Sequence, residues 1–249
     1  MSDSSVLETI ASSVMRVALK VLAPLWMNGK LESNSVACLE YVKQHAQQGD
    51  AASVVATIDE FAASNIMMNV GPDKGAVVDA EIREKKPRVM AEIGAYTGYS
   101  TVRFANAQRE AAKAAGYESH YYSFEYSPES AARVREMVAF AGLSDQVTVI
   151  EGAFSDQLHV LKDKTVDVRV LLLRSPSLSL YVSDTQKILA SGTLATGSLL
   201  IADNVLFPGT PEYLAYVDES PQLTSTLHKS PMEFTGLIND AISVAIYTA

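Results

Sequence analysis

The feature that most constrains this chain is a change of period at residue 88. Upstream, apolar residues recur at steps of three or four, the spacing of amphipathic helices. From Arg88 to Ile93 they run together as a short buried strand that ends in Gly94. Strand and helix then alternate. Strands are expected at 121–124, 147–150, 168–173 and 198–202. Helices are expected at 100–115, 129–141 and 182–191. This alternation predicts a parallel sheet with helices on both faces. The tail reads as two more strands, 223–228 and 242–247, separated by a short helix.

Upstream of residue 88 the patterns are helical, at 36–45, 52–63 and 74–84. Asp50 is placed to cap the second, and Lys86-Pro87 stops the third. An earlier stripe of Val6, Ile10, Val14, Val17 and Val21 predicts an amphipathic helix over 6–22. It can pack on its own domain, pair with a second copy, or lie on a membrane surface. Its polar face is not strongly basic, which favours packing or a homodimer. Pro24 and Asn28-Gly29 are expected to break it. The chain divides on this reading into an N-terminal helical extension, 1–35, and a main domain, 36–249.

The loop Glu92-Ile93-Gly94-Ala95-Tyr96-Thr97-Gly98-Tyr99-Ser100 follows the first strand and opens a helix. Gly94 and Gly98 allow a left-handed backbone and close approach. A helix N-terminus behind them favours a carboxylate or other anion. Glu125 ends the second strand, 31 residues after Gly94. An acid there can accept both hydroxyls of a ribose, and ligands of open α/β sheets collect at these strand ends. The spacing is not that of a GxGxxG dinucleotide site. A nucleoside-cofactor site and a tight turn beside a solvated Glu both remain open from these residues.

Composition closes other routes. A net charge of -9 does not suit a phosphate backbone, so nucleic acid is not an expected partner. A single cysteine, Cys38, excludes an internal disulfide and points to a reducing, cytoplasmic setting. Four scattered histidines offer no zinc cluster. No run of 18 apolar residues is present, so no integral membrane segment is expected, and no signal-peptide pattern opens the chain.

Several motifs in order then resemble the catechol O-methyltransferase family. They are Met68-Asn69-Val70-Gly71 with Lys74-Gly75, Asp79-Ala80 with Ile82-Arg83-Glu84, and the loop from Gly94 to Ser100. Glu125 with Pro128, Met137-Val138 with Phe140-Ala141-Gly142, and Gly152-Ala153 follow. Ala202-Asp203-Asn204-Val205, Pro208-Gly209 and Ala245-Ile246-Tyr247 complete the series. The resemblance implies a Rossmann-like, doubly wound methyltransferase fold. Its sheet is mostly parallel and seven-stranded, with an antiparallel C-terminal hairpin and extra N-terminal helices. It implies S-adenosylmethionine as cofactor and a small-molecule substrate. Met68 and Val70 would border the methionine part. Glu92, Gly94, Tyr96 and Ser100 would hold the amino-acid end, and Glu125 the ribose. Gly152, Ala153, Phe154 and Ser155 would flank the adenine, and Tyr126 would also bind the cofactor.

The family binds magnesium through two aspartates and an asparagine and uses a lysine as general base. Asp203 and Asn204 match the second aspartate and the asparagine, and Glu233 matches a late catalytic glutamate. The first aspartate falls on Ser175 and the lysine on Leu178. From Val168 to Ser183 there is no Asp, Glu or Lys, and the only charges are Arg169 and Arg174. No magnesium site is therefore expected. Glu233, Arg174, Asp203 and Asn204 are the candidate catalytic residues. Three functions compete. One is metal-independent methyl transfer to a small molecule, as in secondary-metabolite biosynthesis. The second is a repurposed fold that cyclises, isomerises or eliminates a hydrophobic substrate, with Arg174 stabilising negative charge. The third is a non-catalytic binding module.

Overall fold

The computed structural model describes residues 25–172, 179–231 and 239–249. Three helices lead: α1 (Leu25–His45), α2 (Ala51–Ala62) and α3 (Gly71–Lys85). Asp50 caps α2 by accepting from the Ser53 amide at 3.0 Å, which satisfies a donor the helix cannot. Pro72 sits in the first turn of α3, where its missing N–H costs nothing, and Lys86 closes the helix in the left-handed region. The expected break at Asn28-Gly29 does not occur, because α1 runs through it and through residues 35 and 36. A glycine inside a helix costs about 1 kcal/mol. Burial of Leu31, Cys38, Leu39 and Val42 in the core outweighs that, at about 1.5–3 kcal/mol per large apolar side chain. The helix expected over 6–22, and with it the homodimer contact, lies outside the described residues.

The alternating part follows as β1 (Val89–Ile93), α4 (Tyr99–Ala114), β2 (His120–Glu125), α5 (Pro128–Phe140) and β3 (Val147–Glu151). A short helical stretch from Phe154 to Leu161 precedes β4 (Val168–Leu171), α6 (Leu180–Ala190) and β5 (Leu199–Ala202). A turn at Val205–Gly209 leads to α7 (Pro211–Glu219), β6 (Leu223–Pro231) and β7 (Asn239–Tyr247). Helix α7 was not expected from the sequence. The two tail strands reach Pro231 and Asn239, so the short helix expected between them falls at residues outside the description.

One seven-stranded sheet carries the order β3-β2-β1-β4-β5-β7-β6. Strands β1 to β5 pair in parallel, while β7 is antiparallel to both β5 and β6. This is the expected Rossmann-like architecture. Alternation along each strand builds two cores. Met90, Tyr121, Val168, Val170 and Ile201 pack with residues of α1 to α5. Ala91, Ile93, Phe124, Leu171 and Leu200 pack with Tyr181 and Ile188 of α6 and Tyr213 and Val217 of α7. Arg169 is the exception. Its guanidinium is fully buried in β4, and burial pushes its pKa down to about 9. Among the described residues no helix is long and apolar enough to cross a membrane.

Candidate active site

The winding order of the strands reverses between β1 and β4, since β2 and β3 lie on one side and β5 on the other. That reversal opens a crevice at the carboxyl ends of the strands. A cavity of about 620 Å³ fills it, lined by Ile93 and Gly94 at the end of β1, Glu125 at the end of β2 and Leu172 after β4. This is the size of an ordinary small-molecule site.

Glu125 organises one end. Its Oε2 accepts from the amides of Ala95 and Tyr96 at 3.0 and 2.9 Å. Its Oε1 accepts from the Ser127 amide at 3.0 Å. Tyr96 is held at φ 56°, a left-handed conformation that costs a non-glycine residue about 1–2 kcal/mol. The Glu125 bond to its amide and the bond from Tyr96 Oη to the Leu31 carbonyl at 2.7 Å offset that cost. Gly98 has φ 90°, and a Cβ there would meet Met137 Cβ at 3.4 Å. The loop therefore needs glycine at this point for its conformation, while the seat on α5 would admit a Cβ.

Glu92 lies behind the loop. It is fully buried, its Oε1 accepts from Ser123 Oγ at 2.6 Å and from Thr101 Oγ1, and it is not among the residues lining the cavity. Burial raises its carboxyl above the ordinary range, against the pull of Ser123 and Thr101. Every other residue expected at the cofactor faces the cavity. Met68 and Val70 line it beside Gly94, Tyr96 and Ser100. Tyr126 stands at its rim, 78% exposed. Gly152, Ala153, Phe154 and Ser155 close the wall after β3.

Asp203 and Asn204, at the end of β5, line the other end. The register pairs Leu171 with Ala202, so the residue beside Asp203 on the neighbouring strand is Leu172. Asp203 is buried, and its Oδ1 lies 2.7 Å from the Lys74 ammonium. Burial raises its pKa, Lys74 opposes that rise, and nearby Asp240 adds to it. Tyr181 donates from its hydroxyl to the carbonyls of Leu171 and Asp203 at 3.1 and 2.7 Å, stapling the two strand ends together. Glu233, Arg174, Ser175 and Leu178 lie outside the described residues. Lys74, Asp240 and Tyr181 were not singled out as site residues from the sequence. Lys74 stands inside a quoted motif, but nothing local says that a helix lysine turns inward 130 residues from its partner.

Residues 91–205 match the family model described as a methyltransferase domain. Catechol O-methyltransferase of Mus musculus is 37% identical over 211 residues, covering 84% of this chain and 77% of that protein. The chain belongs to the catechol O-methyltransferase family. It is a methyltransferase-like enzyme, and solved structures agree with its fold. The O-methyltransferase of Bacillus cereus in complex with SAH aligns with TM-score 0.63 at 19% identity, covering 85% of this chain and 97% of that one. An O-methyltransferase of Streptomyces achromogenes, solved with SAM and involved in tomaymycin synthesis, aligns with TM-score 0.64 at 17% identity. That alignment covers 88% of this chain and 99% of the Streptomyces achromogenes one.

Membership of the catechol O-methyltransferase family raises the question of magnesium, which needs hard oxygen ligands in near-octahedral order. Here the residue beside Asp203 on the neighbouring strand is Leu172, whose side chain offers no ligand atom, and Ser175, on which the family's first aspartate falls, lies outside the described residues. Asp203 Oδ1 and Asn204 Oδ1 lie 2.7 and 3.0 Å from the Lys74 ammonium. Among the described residues no three acidic, histidine or cysteine side chains are grouped to hold a metal. Among the described residues this donor set does not fit the ion.

Proposed function

We propose that this chain is an S-adenosylmethionine-dependent O-methyltransferase that acts on a small-molecule hydroxyl without a divalent ion. One observation carries the reading. A single cavity joins a glycine loop tied to Glu125 at one end to a buried acid paired with a lysine at the other. The relatives named catechol O-methyltransferase support methyl transfer, and the neighbours solved with SAH and SAM support the cofactor.

When bound, the cofactor supplies a methyl group already activated on a sulfonium, so the task of the protein is placement. Glu125 accepts the ribose hydroxyls. Gly94, Tyr96 and Ser100 receive the amino-acid end, where the N-terminus of α4 favours its carboxylate. Met68 and Val70 border the methionine chain, while Tyr126, Gly152, Ala153, Phe154 and Ser155 flank the base. Glu92 acts from behind by fixing the loop. Asp203 takes the acceptor proton on a carboxylate oxygen. Asn204 orients the hydroxyl. Leu172 and Leu180 offer an apolar wall, so the acceptor has an apolar body. Glu233 is a second candidate base, and Arg174 a further candidate catalytic residue.

The test is S-adenosylhomocysteine formation from a panel of small phenols and catechols, in EDTA and in magnesium. Turnover should be the same in both. Asp203→Asn should lower kcat by about 10²-fold or more. Turnover that EDTA abolishes and magnesium restores would overturn the metal-free reading.

A further inference from the structure

Asp184 lies in the second turn of α6 and is only 3% exposed. A buried carboxylate loses its hydration and normally accepts hydrogen bonds in exchange. Among the described residues Asp184 accepts none, and its charged neighbour is the half-exposed Lys187 ammonium at 3.9 Å. Burial raises its pKa, and Lys187 opposes the rise. Both residues line the cavity, where Lys187 is the one cation among the described lining residues. An acid kept inside a fold without hydrogen bonds costs stability. A ligand that donates to it from the cavity accounts for its being there.

The place of Asp184 narrows the choice of donor. Helix α6 packs on the short helical stretch that begins at Phe154, and Phe154 shares a core cluster with Tyr181 of α6. Asp184 therefore stands on the side of the cavity that Phe154 and Ser155 close. The loop before α4 receives the amino-acid end of the cofactor, and Glu125 receives the ribose. The donor that remains is the exocyclic amine of the base, which stands next to a ring nitrogen that accepts. A carboxylate beside an ammonium presents the matching acceptor and donor.

We propose that Asp184 is a specificity-determining residue for the base of the cofactor. Its carboxylate accepts from the exocyclic amine, and the Lys187 ammonium donates to the neighbouring ring nitrogen. The proposal rests on the reading of Gly152, Ala153, Phe154 and Ser155 as the wall that flanks the base, and it deepens that reading by naming what selects adenine. A 6-oxo purine reverses both groups. It sets a carbonyl against the carboxylate and an N–H against the ammonium.

The test is calorimetric titration of the full chain with S-adenosylhomocysteine and with S-inosylhomocysteine, beside thermal unfolding of the free protein. The wild type should bind the adenine compound about 10–100-fold more tightly, the range of one hydrogen bond to a charged group. Asp184→Ala should bring that ratio close to one. Asp184→Asn carries a donor as well as an acceptor, so it should bind the inosine compound more tightly than the wild type does. The asparagine variant is also isosteric, which keeps the test open if the alanine variant folds poorly. Asp184→Asn should unfold no lower than the wild type, because it removes a charge that the fold leaves without a hydrogen bond. Variants that unfold well below the wild type and keep its preference overturn the proposal. A wild type that binds the two compounds equally well overturns it too, and leaves the cofactor reading intact. A wild type that binds neither overturns the cofactor reading and this proposal with it, so the two failures are distinguishable.

Discussion

At the scale of single residues, the site is built from acids in three different settings. Glu125 is tied to loop amides at the cavity, Asp203 is paired with a lysine, and Glu92 is buried among hydroxyls. The last makes a prediction about pH. Burial raises the Glu92 pKa in the folded state above its unfolded value. Between those two values the folded chain binds more protons than the unfolded one, so Glu92 costs stability as pH rises through that window. Glu92→Gln keeps a hydrogen-bonding side chain and removes the ionisation. Its thermal stability relative to wild type should therefore improve as pH rises above about 4. A difference that stays flat across that range would contradict a raised Glu92. The sequence showed Glu92 and Glu125 equally well, as acids near a glycine loop. It did not show that one faces the cavity and the other faces the core, because that depends on strand alternation against α4.

At the scale of elements, most of the chain was legible. The strands at β1 to β5 and the helices between them follow from runs of apolar residues and their period. Asp50 marked its helix start correctly because a cap is a local hydrogen bond. The failures were tertiary. Asn28-Gly29 looks like a break, yet α1 continues through it. Helix α7 carries a weak apolar stripe, and its place depends on Tyr213 and Val217 meeting α6 and β6. The contact between α3 and α4 was equally invisible. Arg103 of α4 binds Asp79 at 2.9 Å, Tyr99 Oη at 2.8 Å and the carbonyls of Gly71 and Pro72. A Cβ on Gly75 would lie 2.6 Å from its guanidinium carbon. Gly75→Ala should therefore destabilise the wild type by about 1–2 kcal/mol. In an Arg103→Ala background the same change should stabilise, by about 0.5–1 kcal/mol, because only helix propensity is left. Denaturant unfolding of the four chains measures both signs, and equal signs would mean that Gly75 does not make room for Arg103.

At the scale of the whole molecule, the sheet order sets where chemistry can happen. The reversal between β1 and β4 brings the glycine loop, Glu125, Leu172 and Asp203 around one cavity, although they span more than a hundred residues of chain. The alternation of elements and the order of motifs made that architecture readable in advance. They also showed that no acid lies between Val168 and Ser183. What they could not show is that Lys74 and Asp240, 166 residues apart in sequence, meet beside Asp203. The central proposal is a cofactor site that works without a divalent ion. Calorimetric titration with S-adenosylmethionine, in EDTA and in magnesium, tests it most directly. The account predicts a dissociation constant on the order of micromolar in both buffers, weakened tenfold or more by Glu125→Ala. No binding in either buffer, or binding that appears only with magnesium, would contradict it.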